Sequence, residues 1–305
     1  MTVHRYLVTG ATGAQGGAVA RLLAARGAEV RGLARGTGPA AAGVTVHAGD
    51  LGDAAAVRAA FDGVTHAAVT LPLEYDHATV VRYARHLAAA ARAARVRRLV
   101  LNTNTPLPER PTGRPGFETR RAAEEVLRGS GVPTVVVRPP VYLDNLFSPW
   151  HGPALVRDGV LACPLPAERR VAWMSHADLA RVVVAALGRE GRELEGRVLC
   201  VGGAEVLTGP ELASALARGL GRDVRYVPLD VARFEEGLAR AVGAGAAAGV
   251  AGIYHHVANG QDPGLLAPDP ARTARTARAL GVRLTPAAEW AGAQPWERWA
   301  NAPTP

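Results

Sequence analysis

The chain contains no lysine: all 35 of its basic residues are arginine. Without an ε-amine there is no Schiff-base catalysis and no Walker-type phosphate loop, both of which need that group. Isoleucine occurs once, at Ile253, and Ala, Arg and Gly are heavily used, a pattern of GC-rich coding in which arginine for lysine can reflect composition alone. Two cysteines, Cys163 and Cys200, lie far apart without metal-ligand spacing and read as reduced core thiols. The pair His255–His256 lacks an i,i+4 partner or companion carboxylates, so no metal site is expected. No stretch approaches the roughly 20 unbroken apolar residues of a membrane span. The nearest, AVGAGAAAGVAGIY from Ala241, is short and built of small residues. The N-terminus runs into a strand pattern, YLVTG, without a leader-like segment, so the expectation is a cytoplasmic protein without membrane contact. The net charge of +8 is spread among many Asp and Glu, and only RVRR at Arg95–Arg98 clusters, which argues against nucleic acid as a partner.

Its 305 residues, 48% hydrophobic, suffice for one large or two modest domains with a real core. From Tyr6 the run YLVTGATGAQGGAVARLLAARGAEVRGLAR reads β-α-β. At the first strand-to-helix junction Gly10, Gly13 and Gly16, with Thr12, Ala14 and Gln15 between and beside them, form G-x-x-G-x-x-G. Missing side chains there let the backbone turn tightly and approach a pyrophosphate at the helix N-terminus. The end of the second strand carries Arg31 and Arg35, with no acidic residue until Asp50, which predicts a 2′-phosphate and therefore NADP(H), Arg35 as the principal contact and Arg31 as its helper. Strands and helices go on alternating through PTVVVRPP, which implies a parallel sheet with ligands at the carboxyl ends of its strands. That geometry places Asp50 and Leu51 near the adenine, Thr70 and Leu71 along the cofactor, and Asn102 and Thr103 near the nicotinamide. Thr208 is expected to cap a later helix, with Pro210 and Glu211 in its first turn. The tail NAPTP, Asn301–Pro305, is expected to lack fixed structure.

VTGATGAQGG, GFETRRAAEEVL, VVVRPPVYLDNL, VAWMSHADLARVVVAAL and ARALGVRLTPAAEWA, in this order, resemble the NmrA-like branch of the atypical short-chain dehydrogenase/reductases. The resemblance implies a doubly wound parallel Rossmann sheet of seven strands with a smaller, mostly helical C-terminal domain. The expected division is an NADP-binding domain over 1–150, to which the chain returns at about 176–202, and a substrate-facing region over 151–305. It also implies NADP(H) and a small-molecule substrate, the protein acting as a monomer or homodimer.

GFETRRAAEEVL departs from the wider superfamily. Where reducing members carry Tyr-x-x-x-Lys, this chain has Phe117 and Arg121. Hydride addition to a carbonyl leaves an alkoxide that needs a proton, which a phenol beside a cation supplies. Phe117 keeps the ring for a substrate to rest on and loses the proton. Arg121 keeps a charge for the cofactor ribose and for catalysis, and Thr103 offers a hydroxyl. Tyr142 is the first candidate for the displaced acid, with Asp144, His151, His176 and Tyr75 behind it, and Asn145 and His151 as substrate contacts. The leading expectation is an NADPH-dependent oxidoreductase acting on a quinone, enone or similar planar intermediate, in bacterial secondary metabolism. A non-catalytic NADP(H)-sensing regulator and a redox-neutral isomerase or cyclase on the same scaffold are the alternatives.

Overall fold

The computed structural model describes residues 4–36, 40–189 and 191–300, so the NAPTP tail lies outside the described residues. In chain order the first six strands are β1 (Arg5–Thr9), β2 (Glu29–Ala34), β3 (Val44–Ala48), β4 (His66–Thr70), β5 (Arg98–Asn102) and β6 (Thr134–Arg138). Helices α1 (Ala14–Ala25), α2 (Ala54–Ala60), α3 (His77–Ala93) and α4 (Pro115–Arg128) are the crossovers between them. The chain then runs through α5 (Gly152–Asp158), β7 (Val160–Cys163), α6 (His176–Gly188), β8 (Val198–Cys200), α7 (Gly209–Leu220) and β9 (Arg225–Pro228). It finishes in α8 (Val231–Val242), α9 (Ala244–Ala258), α10 (Pro270–Ala279) and α11 (Ala287–Gly292).

Seven strands form one parallel sheet in the order β3-β2-β1-β4-β5-β6-β8. Strands β4 and β5 are buried throughout apart from Thr70, as expected for a sheet covered by helices on both faces. Progress along the chain reverses direction between β1 and β4, so the ligand crevice of such a sheet opens at the carboxyl ends of these two strands. Thr9 and Thr70 stitch that point together: Thr9 Oγ1 donates to the Thr70 carbonyl and accepts from its N–H, both at 2.8 Å.

Two compact units emerge. The first comprises 1–139, 179–200 and 278–282; the second comprises 140–178, 201–277 and 283–305. The core of the first packs Leu7, Phe61, Val80, Leu87, Leu99 and Leu127, all at most 1% exposed, around the sheet. In the second, β7 and β9 pair in parallel, and Leu143, Leu155, Leu161, Leu212 and Trp290 line the core with helices α7 and α11. Thr208 caps α7 as expected, in a full capping box with Glu211. No helix among the described residues is long and apolar enough to cross a membrane.

Candidate active site

The glycine loop sits where the sheet topology puts a ligand. Gly10 has φ +64°, a left-handed conformation that favours glycine, and its N–H donates to Leu33 O at 2.8 Å. A Cβ on Gly16 would lie 2.5 Å from Thr9 O and closer still to Gly10 O, so no side chain fits there. Asp53 and Asp76 cap α2 and α3 with their carboxylates, whereas α1 begins at Gly13 with no side-chain cap. An uncapped helix start beside exposed Thr12, Gly13 and Ala14 fits a pyrophosphate, because N-terminal N–H groups and the helix dipole favour an anion.

The two strand-end arginines part ways. Arg31, expected to help hold a 2′-phosphate, spends its guanidinium on the carbonyls of Ala60 and Asp62, at 2.9 and 2.8 Å, and so ties β2 to the end of α2. Arg35 is exposed just past β2, and no described residue bonds to it. Asp50 accepts the Gly52 N–H at 2.7 Å, and Leu51 is buried with its carbonyl on His86. Tyr83, which sequence reasoning missed, lies beside Gly52 and close enough to Asp50 and Arg35 to feel both charges.

At the other end of the crevice Asn102 donates to Gln15 Oε1 at 2.6 Å and accepts from the Asn104 N–H, while Asn104 Nδ2 donates to Leu71 O at 3.0 Å. These amides join the ends of β4 and β5 to the start of α1. Thr103 does not keep the free hydroxyl expected of it: its buried Oγ1 donates to Thr105 O at 2.7 Å. Phe117 is fully buried, a core residue without surface to offer a substrate. Arg121 turns onto the preceding loop, pairing with Glu118 at 3.1 Å and donating to Pro108 O at 2.6 Å. The neighbouring Arg120, which no sequence motif singled out, is 1% exposed and donates to Pro72 O and Glu74 O, both at 2.8 Å. Its Cζ lies 4.7 Å from the ring centroid of Tyr75.

The remaining candidates belong to the second unit. Tyr142 is 4% exposed, with its ring edge-on to His176 at 4.6 Å. Asp144 accepts the His176 N–H at 2.7 Å, and its other oxygen lies 3.5 Å from Nδ1 of the same residue, which fixes the start of α6. His151 bonds Ser148 Oγ at 3.2 Å, and burial holds its pKa below the usual value, so it is a neutral imidazole near pH 7. Asn145 is exposed. No group of three or more His, Cys, Asp or Glu among the described residues has metal-binding geometry.

With the uncapped glycine loop, the threonine stitch and the strand-end arginine in view, kinship follows. Residues 3–257 match the model of the NmrA-like family. The chain belongs to that family. It is 40% identical over 237 residues to (4-alkanoyl-5-oxo-2,5-dihydrofuran-3-yl)methyl phosphate reductase of Streptomyces griseus, covering 74% of this chain and 77% of the relative. It is 32% identical over 239 residues to the NAD(P)H azoreductase of Xenophilus azovorans, covering 76% and 79%. Among solved structures, the NADPH complex of the Escherichia coli quinone oxidoreductase QOR2 superimposes with a TM-score of 0.72 and 25% identity, covering 94% of this chain and 98% of that one.

Proposed function

We propose that the protein is an NADPH-dependent oxidoreductase that reduces the conjugated double bond of an enone, with quinones as further acceptors. The observation that carries this reading is the pairing of an intact dinucleotide cradle with an active-site helix whose acid position holds a fully buried phenylalanine. Plain carbonyl reduction generates a localised alkoxide, which Phe117 cannot protonate. Enones and quinones spread the developing charge over a conjugated system, so orientation of the acceptor beside the nicotinamide supplies more of the rate. The Streptomyces griseus relative is named for a 5-oxo-2,5-dihydrofuran, an unsaturated lactone of that class, and the azoreductase and QOR2 act on other planar conjugated acceptors.

When bound, NADPH supplies the hydride. Gly10, Gly13, Gly16 and the start of α1 would hold its pyrophosphate, Arg35 the 2′-phosphate, and the Asn102–Gln15 pair the approach to the nicotinamide. The test is anaerobic NADPH oxidation followed by absorbance against enones, unsaturated lactones and quinones, in protein whose NADPH binding has been established by fluorescence titration. Turnover of unsaturated lactones at least as fast as of quinones is expected. Tight binding with no turnover across the panel would instead support a cofactor-sensing role.

A further inference from the structure

The acid missing from α4 has a counterpart on the loop after β4. We propose that Tyr75 is the proton donor of this reductase and that Arg120 is the cation holding the resulting phenolate, a tyrosine–cation pair whose cation stays on α4 while its tyrosine lies on the loop after β4. This inference rests on the enone-reductase reading and adds to it the acid.

Four observations carry it. The loop of Leu71–Asp76 leaves the carboxyl end of β4, one of the two strands flanking the ligand crevice. It is held rigidly: Asn104 clamps Leu71 O, Arg120 clamps Pro72 O and Glu74 O, and the Glu74 carboxylate caps the N–H groups of Tyr75 and Asp76 at 2.8 and 2.9 Å. A proton donor needs such fixing, since misplacement by about an ångström costs orders of magnitude in rate. Arg120 is also a buried charge without an ion-pair partner among the described residues. Carbonyl dipoles satisfy two of its N–H groups, and the Glu74 carboxylate on the same loop offsets its charge only from a distance, without an ion-pair contact, an expensive arrangement for a mere strap. The phenolate of Tyr75, whose ring it already touches, is an anion that would balance it. Finally, Tyr75 keeps part of its surface exposed, whereas Phe117 and Tyr142 are buried.

The balance is simple. Hydride adds to the β-carbon of the enone, and the π electrons move to the α-carbon and carbonyl oxygen. The Tyr75 O–H bond then breaks, its proton passes to the enolate, and water reprotonates the phenolate. Burial raises the phenol's pKa and the Arg120 charge opposes that rise, so near pH 7 the group stands in the protonated form that a donor requires.

Tyr75→Phe is compared with wild type for an enone and a quinone, alongside NADPH affinity by fluorescence titration. A general acid contributes about a hundredfold or more. The expected result is a fall of that size in kcat for the enone, with KM and NADPH affinity essentially kept and a much smaller fall for the quinone, whose oxygens take protons from water. Enone turnover unchanged in Tyr75→Phe overturns the proposal while leaving the reductase reading intact. Equal losses for both acceptors, accompanied by weaker NADPH binding, overturn it too, since they mark a structural role. No turnover of any acceptor by wild type sinks the reductase reading and this proposal together. For Arg120, facing Tyr75 from α4 with Glu74 on the loop itself, the readout is the pH profile. Arg120→Met moves the basic limb of enone kcat to higher pH, because the phenol loses the charge that lowers its pKa, and Arg120→Lys restores most of the wild-type position.

Discussion

At the scale of single residues, two pairs of arginines divide between structure and ligand. Arg31 and Arg35 lie four positions apart, and the sequence ranked Arg35 first for its place at the strand's end. What it missed is that Arg31 is already committed to carbonyls of α2, a contact made 29 residues away. Arg35→Ala should therefore raise the dissociation constant for NADPH by about 10- to 100-fold, the worth of a charge-assisted contact, and leave NADH unaffected. Titration of both nucleotides checks this, with Arg31→Met expected to lose stability rather than selectivity. Arg120 and Arg121 show where sequence reading runs out. A Tyr-x-x-x-Lys pattern selects position 121, yet successive helical residues are about 100° apart, and it is Arg120 that faces the interior and the loop after β4. Nothing local announces the meeting of Tyr75 with Arg120, which depends on how α4 settles against the sheet. The glycine loop was legible because its chemistry is contained within seven residues.

Elements were more legible than their contacts. Alternating apolar runs and amphipathic stretches gave the strands and crossovers in order, and the Thr208 cap was visible as a threonine three residues before a glutamate. Thr208→Ala should cost about 1 kcal/mol in denaturant unfolding. Helix α4, chosen for its chemistry, owes much of its position to an ion pair no motif exposed. Glu124, 3% exposed, accepts from Arg138 Nε at 3.0 Å and Nη2 at 2.8 Å, with Arg128 at 3.2 Å, which fastens the helix to β6. Breaking a buried pair from one side costs about 3–5 kcal/mol when the remaining charge is left unpaired, but Glu124 keeps Arg128, so Arg138→Leu should lower stability by less than that. Glu124→Leu added to it should recover much of that loss, measured by the same unfolding transitions.

For the whole molecule, acidity offers a stability test independent of the site. His66 opens β4 at its amino end, 6% exposed and stacked on His4 with ring centroids 4.7 Å apart. Burial first, then the positive fields of His4, Arg97 and Arg98, lower its pKa to about 4. Because the folded value lies below the ordinary one of about 6.5, its contribution is complete above pH 6.5 and is lost as pH falls toward 4. The loss is at most about 3 kcal/mol, and His66→Phe should flatten that part of the stability–pH curve measured by denaturant midpoints.

The parallel sheet carries one more consequence. Its last strand, β8, reaches β6 only after some sixty residues, of which 140–178 belong to the second unit. On the ribosome, the outer edge of β6 must wait uncovered while those residues are synthesised, at about 5–20 residues per second. A fragment ending near residue 150 would keep the entire glycine loop and still present a bare, apolar strand edge to its neighbours. For this chain the nucleotide-binding half is contiguous in motif but not in folding, and holding it soluble in isolation would require supplying Val198–Cys200 as a separate strand.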